Sequence, residues 1–113
     1  MASLISFDID GTLEFGDPPG LITVEMVRHA KQLGYIVGSC SDRTIGEQKL
    51  LWERHNLQVG FMVLKHQLDI VREKFEAKLY YHIGDTQVDR YYAEKAGFVY
   101  MTDQLALSED WAK

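Results

Sequence analysis

A short apolar run, Leu4-Ile5-Ser6-Phe7, starts almost at the N-terminus and runs straight into Asp8-Ile9-Asp10-Gly11. Such a run, stopped by carboxylates and glycine, reads as a buried strand whose far end meets a polar edge. The same punctuation recurs along the chain. Tyr35–Cys40 stops at Ser41-Asp42-Arg43, Phe61–Leu64 stops at Lys65, and Leu79–Ile83 stops at Gly84-Asp85. A fifth run, Phe98–Met101, follows.

Helical patterns fill the intervals. Thr23 can cap a helix whose inner face is Met26, Val27, Ala30 and Leu33, with Gly34 as its stop. Thr44 and Glu47 have capping-box spacing and open a helix through about Asn56. Leu68, Val71 and Phe75 are helically spaced after the third run, and Val88, Tyr92 and Ala96 form a stripe stopped by Gly97. Residues 11–20 hold three glycines and both prolines, which reads as a loop or small hairpin flap. Residues 102–113 read as a polar tail, apart from Trp111 and the pair Leu105 and Leu107. Strand alternating with helix predicts an α/β fold: one domain over residues 1–113, a three-layer, doubly wound, five-stranded parallel sheet. In such sheets ligands sit at the carboxyl ends of the strands, where the order reverses.

Charge and cysteine content narrow the function classes. Twelve basic against 17 acidic residues give a net charge of −5, which argues against duplex nucleic acid as a scaffold and against anionic membranes. The one cysteine, Cys40, allows no internal disulfide and no zinc knuckle, and it reads as a small buried apolar residue. No apolar run reaches the ~18–20 residues of a membrane span, and the N-terminus has no secretory pattern. The expectation is a cytoplasmic protein.

The strand tips carry the chemistry. Side chains two apart on a strand share a face, so Asp8 and Asp10 should converge, with Phe7 and Ile9 on the other side. Asp8, Asp10, Asp85 and Asp89 bring four carboxylates to one edge, against Lys65. Carboxylates packed without compensation raise one another's pKa values, and a hard divalent cation such as Mg²⁺ relieves them through oxygen ligands. Helix N-termini after Ser41 and after Asp85 would favour an anion at the same place. A cation, a lysine, a hydroxyl and two helix ends make a phosphate pocket, and a carboxylate aimed into it can act as a nucleophile.

Phe7-Asp8-Ile9-Asp10-Gly11-Thr12-Leu13 resembles the first motif of the haloacid-dehalogenase-like (HAD) superfamily, and Gly84-Asp85-Thr86-Gln87-Val88-Asp89 resembles its fourth. Ser41 and Lys65 match the second and third in the expected order, so the resemblance runs from Leu4 to about Met101. It implies a Rossmann-type sheet and the following roles. Asp8 is nucleophile and metal ligand, while Asp10 is general acid/base and offers a backbone carbonyl to the metal. Ser41 binds the phosphoryl group, with Gly11, Thr12 and Arg43 beside the substrate. Lys65 orients the nucleophile, Asp85 ligates Mg²⁺, and Asp89 ligates through water or supports from behind. The second Asp, two residues after the first, is typical of the phosphatase branch. The chain has no room for a cap domain, so the substrate itself, a second subunit in a homodimer, or the flap with Phe15 near its middle must exclude water.

Plainer readings stand beside these. Thr86 and Asp89 have capping-box spacing and would start a helix with or without a metal. Ser39 rivals Ser41, Lys74 rivals Lys65, and Arg43 also reads as a surface residue at a helix start. The four histidines show no ligand spacing; of them, His66 beside Lys65 is the one expected near the pocket. An exposed tyrosine or Trp111 could serve a subunit contact. The leading expectation is a Mg²⁺-dependent phosphomonoester hydrolase that forms an aspartyl-phosphate on Asp8. Its substrate would be a phosphorylated small molecule or macromolecular end. The alternatives are a non-catalytic phosphoryl- or metal-binding module and a phosphotransferase to an alcohol.

Overall fold

The computed structural model describes all of residues 1–113. Five strands, β1 (Leu4–Phe7), β2 (Ile36–Ser41), β3 (Phe61–Leu64), β4 (Tyr80–Ile83) and β5 (Val99–Met101), form one sheet in the order β3-β2-β1-β4-β5. Every pairing is parallel. Helices α1 (Val24–Gln32), α2 (Ile45–Arg54), α3 (Leu68–Lys74) and α4 (Gln87–Ala96) make the crossovers. The architecture is the expected Rossmann-like, three-layer α/β fold, and no helix is long and apolar enough to cross a membrane.

The period-2 alternation of β1 sorts the two faces. Ile5, Phe7 and Ile9 enter one apolar cluster with Val27 and Ala30 of α1 and Trp52 of α2. Leu4 enters the other with Cys40, Leu68, Val71 and Ala93, beneath α3 and α4. Phe7 pairs in register with Ser39 and with Ile83, so the tips of β1 and β4 end together while β2 runs two residues further, to Ser41. The order reverses at β1, which places the crevice between the ends of β1 and its neighbours.

Thr23, Thr44 and Thr86 cap their helices as expected, each accepting a hydrogen bond from the N–H three residues on. Three expectations need correction. Leu33 is the C-cap residue of α1 and is 50% exposed, so the inner face of the helix stops at Ala30. Phe75 lies beyond the end of α3 in extended backbone and packs on Phe61 instead. The inner face of α4 is Asp89 and Ala93, not the Val88 stripe; Val88 is 49% exposed. A buried carboxylate with polar partners has turned the helix, which a count of apolar residues cannot register. Residues 11–20 form the expected loop, built from turns and tied by Ile22 N–H to Thr12 O and Glu14 N–H to Ile22 O.

The tail also folds. Residues Asp103–Ala106 form a short helix, α5, and Asp110–Ala112 a 3-10 turn. Trp111 is buried edge-on against Phe7, with centroids 5.5 Å apart, and His29 Nδ1 lies 3.0 Å from its carbonyl. Trp111 therefore completes the α1 face of the core and offers nothing to a subunit contact. Phe15 likewise stacks on His55 and meets the edge of Trp52, so it is no free lid.

Candidate metal centre

Asp8 is held at the tip of β1 by two bonds. Its N–H continues the ladder to Ile83 O at 2.8 Å, and its Oδ1 accepts the N–H of Ile9 at 2.8 Å. The β4 tip is pinned through Gly84, whose N–H donates to Met101 O and whose carbonyl accepts the Tyr100 hydroxyl at 2.9 Å. Gly84 leaves space for Asp89, since a Cβ there would collide with the Asp89 carboxyl. Gly11 has φ +77°, and a Cβ on it would collide with Asp85. Glycine is thus required at the Asp10–Thr12 turn both for its backbone angle and for the seat of a carboxylate.

These constraints bring Asp8, Asp85 and Asp89 together, with one carboxylate oxygen of each within 4.8 Å of the others. Lys65, in a 3-10 turn that follows β3, is buried beside them. Its Nζ lies 3.6 Å from Asp8 Oδ2, 3.4 Å from Asp89 Oδ1 and 3.5 Å from Asp42 Oδ2. Asp8, Asp10, Ser41, Lys65, Asp85 and Thr86 line a cavity of about 200 Å³, with Pro18 of the 11–20 segment on its rim. That volume holds a phosphoryl group and a few waters, each ~30 Å³. A larger depression of about 460 Å³ near Lys31 and Gln58 holds no such cluster.

Burial and the Asp89 charge push the Asp8 carboxyl up to about 8, with Lys65 opposing. Burial would raise Asp89 too, but the His82 hydrogen bond, the Lys65 charge and the Thr86 hydroxyl hold it well below the usual carboxylate range. Burial and the Asp89 charge also raise Asp85. Burial would lower Lys65, yet the three surrounding carboxylates keep it above its ordinary value. Three acids against one lysine leave an excess of negative charge, which adds to burial in raising the proton affinity of Asp8 and Asp85. An all-oxygen donor set with surplus negative charge fits a hard divalent cation better than a soft one.

Asp10 lines the cavity, but its carboxylate stands outside the acidic cluster. Arg43 Nη2 donates to Asp10 Oδ1 at 2.8 Å, Arg43 Nε lies 3.1 Å from both oxygens, and the N–H of Asp17 donates at 2.8 Å. Burial would raise the Asp10 carboxyl; the Arg43 bonds and the Asp17 N–H outweigh it and lower it. The convergence expected of Asp8 and Asp10 therefore holds for the pocket and fails for the carboxylates themselves. Arg43, expected beside a substrate, spends its fork on Asp10 instead.

Ser41 lines the cavity and accepts the N–H of Arg43 at 3.1 Å. Ser39 lies two residues deeper and is committed elsewhere, donating to Gln48 Oε1 at 2.6 Å and accepting from Trp52 Nε1. Lys74 is exposed on α3, away from the acids. Gly11 is partly exposed beneath Asp85. Thr12 is fully buried, does not line the cavity, and its hydroxyl has no partner. Asp89 serves as cap and cluster member at once. Its Oδ2 accepts the Thr86 hydroxyl at 2.8 Å and the Thr86 N–H at 3.2 Å, while Oδ1 faces His82 and Lys65.

His66 is exposed and stands on a separate groove with Tyr92 and Lys95, although Lys65 borders both cavities. The histidine that touches the acids is His82, buried in β4. A polar residue inside an otherwise apolar strand was the signal for it. No family model, curated protein or solved structure matches this chain.

Proposed function

We propose that the protein is a Mg²⁺-dependent phosphomonoester hydrolase of HAD type, working through Asp8. The observation that supports this reading is the meeting of the Asp8, Asp85 and Asp89 carboxylates within 4.8 Å beside the buried Lys65. Asp8 and Asp85 would hold the cation; both oxygens of Asp89 are already engaged, which suits support from behind. When bound, Mg²⁺ would neutralise the carboxylates and polarise the phosphoryl group.

Asp8 Oδ2 is the oxygen left free by the Ile9 bond. In the proposed reaction it attacks phosphorus, a new P–O bond forms, and the ester P–O bond breaks toward the leaving oxygen. Lys65 offsets charge on the three transferring oxygens, and the Ser41 hydroxyl donates to one of them. Asp10 supplies the proton to the leaving oxygen, then takes one from the water that cleaves the aspartyl-phosphate. That role requires Arg43 to leave Asp10. A phosphoryl group offers the Arg43 fork an alternative bidentate partner and so frees the carboxyl as the substrate arrives. The small cavity keeps the leaving group outside, which fits a terminal phosphate on either a small or a large substrate.

Release of phosphate from an aryl phosphate tests the reading. Turnover should need Mg²⁺, stop on chelation and vanish in Asp8→Asn; full activity in that variant rejects the assigned nucleophile. The Arg43–Asp10 pair favours a second reading, a phosphoryl- or metal-binding module without turnover, because it removes the general acid. That reading predicts Mg²⁺ binding with no phosphate release from any substrate class. Products formed with added alcohol separate hydrolysis from phosphotransfer.

A further inference from the structure

His82 lies inside β4, directly in register with Ser6 of β1, on the face lined by Leu4, Cys40 and Ala93. A buried imidazole in such surroundings must find partners for both ring nitrogens. Its Nδ1 lies 2.9 Å from Ser6 Oγ and its Nε2 lies 2.9 Å from Asp89 Oδ1. A carboxylate only accepts, so Nε2 carries the hydrogen and donates, and in the neutral ring Nδ1 accepts from the Ser6 hydroxyl.

Beyond Asp89 the contacts continue to the pocket. Oδ1, the oxygen that accepts from His82, also faces Lys65 Nζ at 3.4 Å, and Lys65 reaches Asp8 Oδ2 at 3.6 Å. Ser6, His82, Asp89, Lys65 and Asp8 thus form one unbroken polar chain from the middle of the sheet to the β1 tip. Capping of α4 does not require it, since Thr86 alone occupies Oδ2.

We propose that His82 is a positioning residue: by donating Nε2–H to Asp89 Oδ1 it fixes the Asp89 carboxylate, and so aims Lys65 and the α4 N-terminus at Asp8 and its cation. Partners of this kind around metal sites typically control affinity or activity by about 10–100-fold. The inference rests on the phosphohydrolase reading given above.

The test uses the full chain and two variants of similar polarity. A glutamine amide reaches the place of Nε2 and can donate to Asp89, whereas an asparagine amide reaches only the place of Nδ1. His82→Asn should weaken Mg²⁺ binding, measured calorimetrically, by about 10–100-fold. It should lower kcat on an aryl phosphate by a similar factor, with KM changed less than about threefold. His82→Gln should return both to within about threefold of wild type. Wild-type Mg²⁺ affinity in His82→Asn, or equal losses in both variants, would overturn the proposal and leave His82 as packing. If His82→Asn does not fold, Ser6→Ala frees the far side of the ring and should weaken Mg²⁺ binding in the same direction; unchanged affinity there overturns it too. A wild-type chain that binds Mg²⁺ without turnover rejects the phosphohydrolase reading alone, because the Mg²⁺ affinities still decide the role of His82. No Mg²⁺ binding at all rejects both.

Discussion

Arg43 grips Asp10: its Nη2 donates to Oδ1 at 2.8 Å and its Nε lies 3.1 Å from each carboxylate oxygen. The two residues sit 33 positions apart, on the loops after β2 and β1, and their pairing joins two strand tips across the cavity. Lysine cannot reproduce that planar fork. Arg43→Lys should raise KM for a phosphomonoester roughly tenfold, about 1.4 kcal/mol, while the fold persists. Steady-state kinetics with matched melting curves check it.

The same pair sets a pH dependence. The folded Asp10 carboxyl lies below its usual range, so its contribution to stability is present above the unfolded value. It is lost as pH falls through the folded one. Arg43→Ala should therefore lose stability relative to wild type at pH 5–7, and the gap should close as pH falls below about 4. Urea denaturation across that range reads the closing gap.

Asp8 has the opposite sign. Its folded pKa is raised to about 8 by burial and by Asp89, so its contribution to stability is fully present below the unfolded value. It fades as pH rises from about 4 through about 8. In chelator-treated protein, Asp8→Asn should melt higher than wild type at pH 8, and the difference should shrink toward pH 5. The same substitution should reduce kcat by more than about 10³-fold. Equal pH profiles for the two proteins would contradict the burial argument.

Cation binding should couple to that proton. Below pH 8 the ion must displace it, so apparent Mg²⁺ affinity should rise with pH and level off above about 8. Mg²⁺ at a hundred times its Kd should stabilise the chain by about 2.7 kcal/mol. Asp85→Asn should abolish most of that shift. Thermal melts with Mg²⁺ and with chelator measure both effects.

Two core substitutions test the fold itself. Trp111 is buried against Phe7, and Trp111→Ala should cost about 3–5 kcal/mol. The Thr12 hydroxyl is buried without a partner, and leaving such a group unpaired costs about 1–3 kcal/mol. Thr12→Val should therefore be neutral or stabilising by about 1 kcal/mol, seen as a rise in Tm.

Local pattern made much of this readable. Apolar runs that stop in acid or lysine placed the tips of β1 to β4, and threonine caps placed the starts of α1, α2 and α4. Ser41 and Lys65 were found at the cavity because they directly follow or end those runs. The misses share a cause. Trp111 stood out from a polar tail and read as a candidate subunit contact because its partner, Phe7, is 104 positions away. Val88 looked like the inner face of α4 because apolar periodicity gives no weight to a buried acid such as Asp89.

Sequence alone determined the parallel sheet and the polar residues at its edge, since strand length, alternation and capping are short-range properties of the chain. Tertiary structure alone decided which of those residues meet. It gave Asp10 to Arg43, tied Asp89 to His82 and Lys65, and raised the proton affinity of Asp8 through burial and the Asp89 charge. Partner choice and proton affinity depend on distance and burial, and those exist only once strands distant in the chain lie side by side.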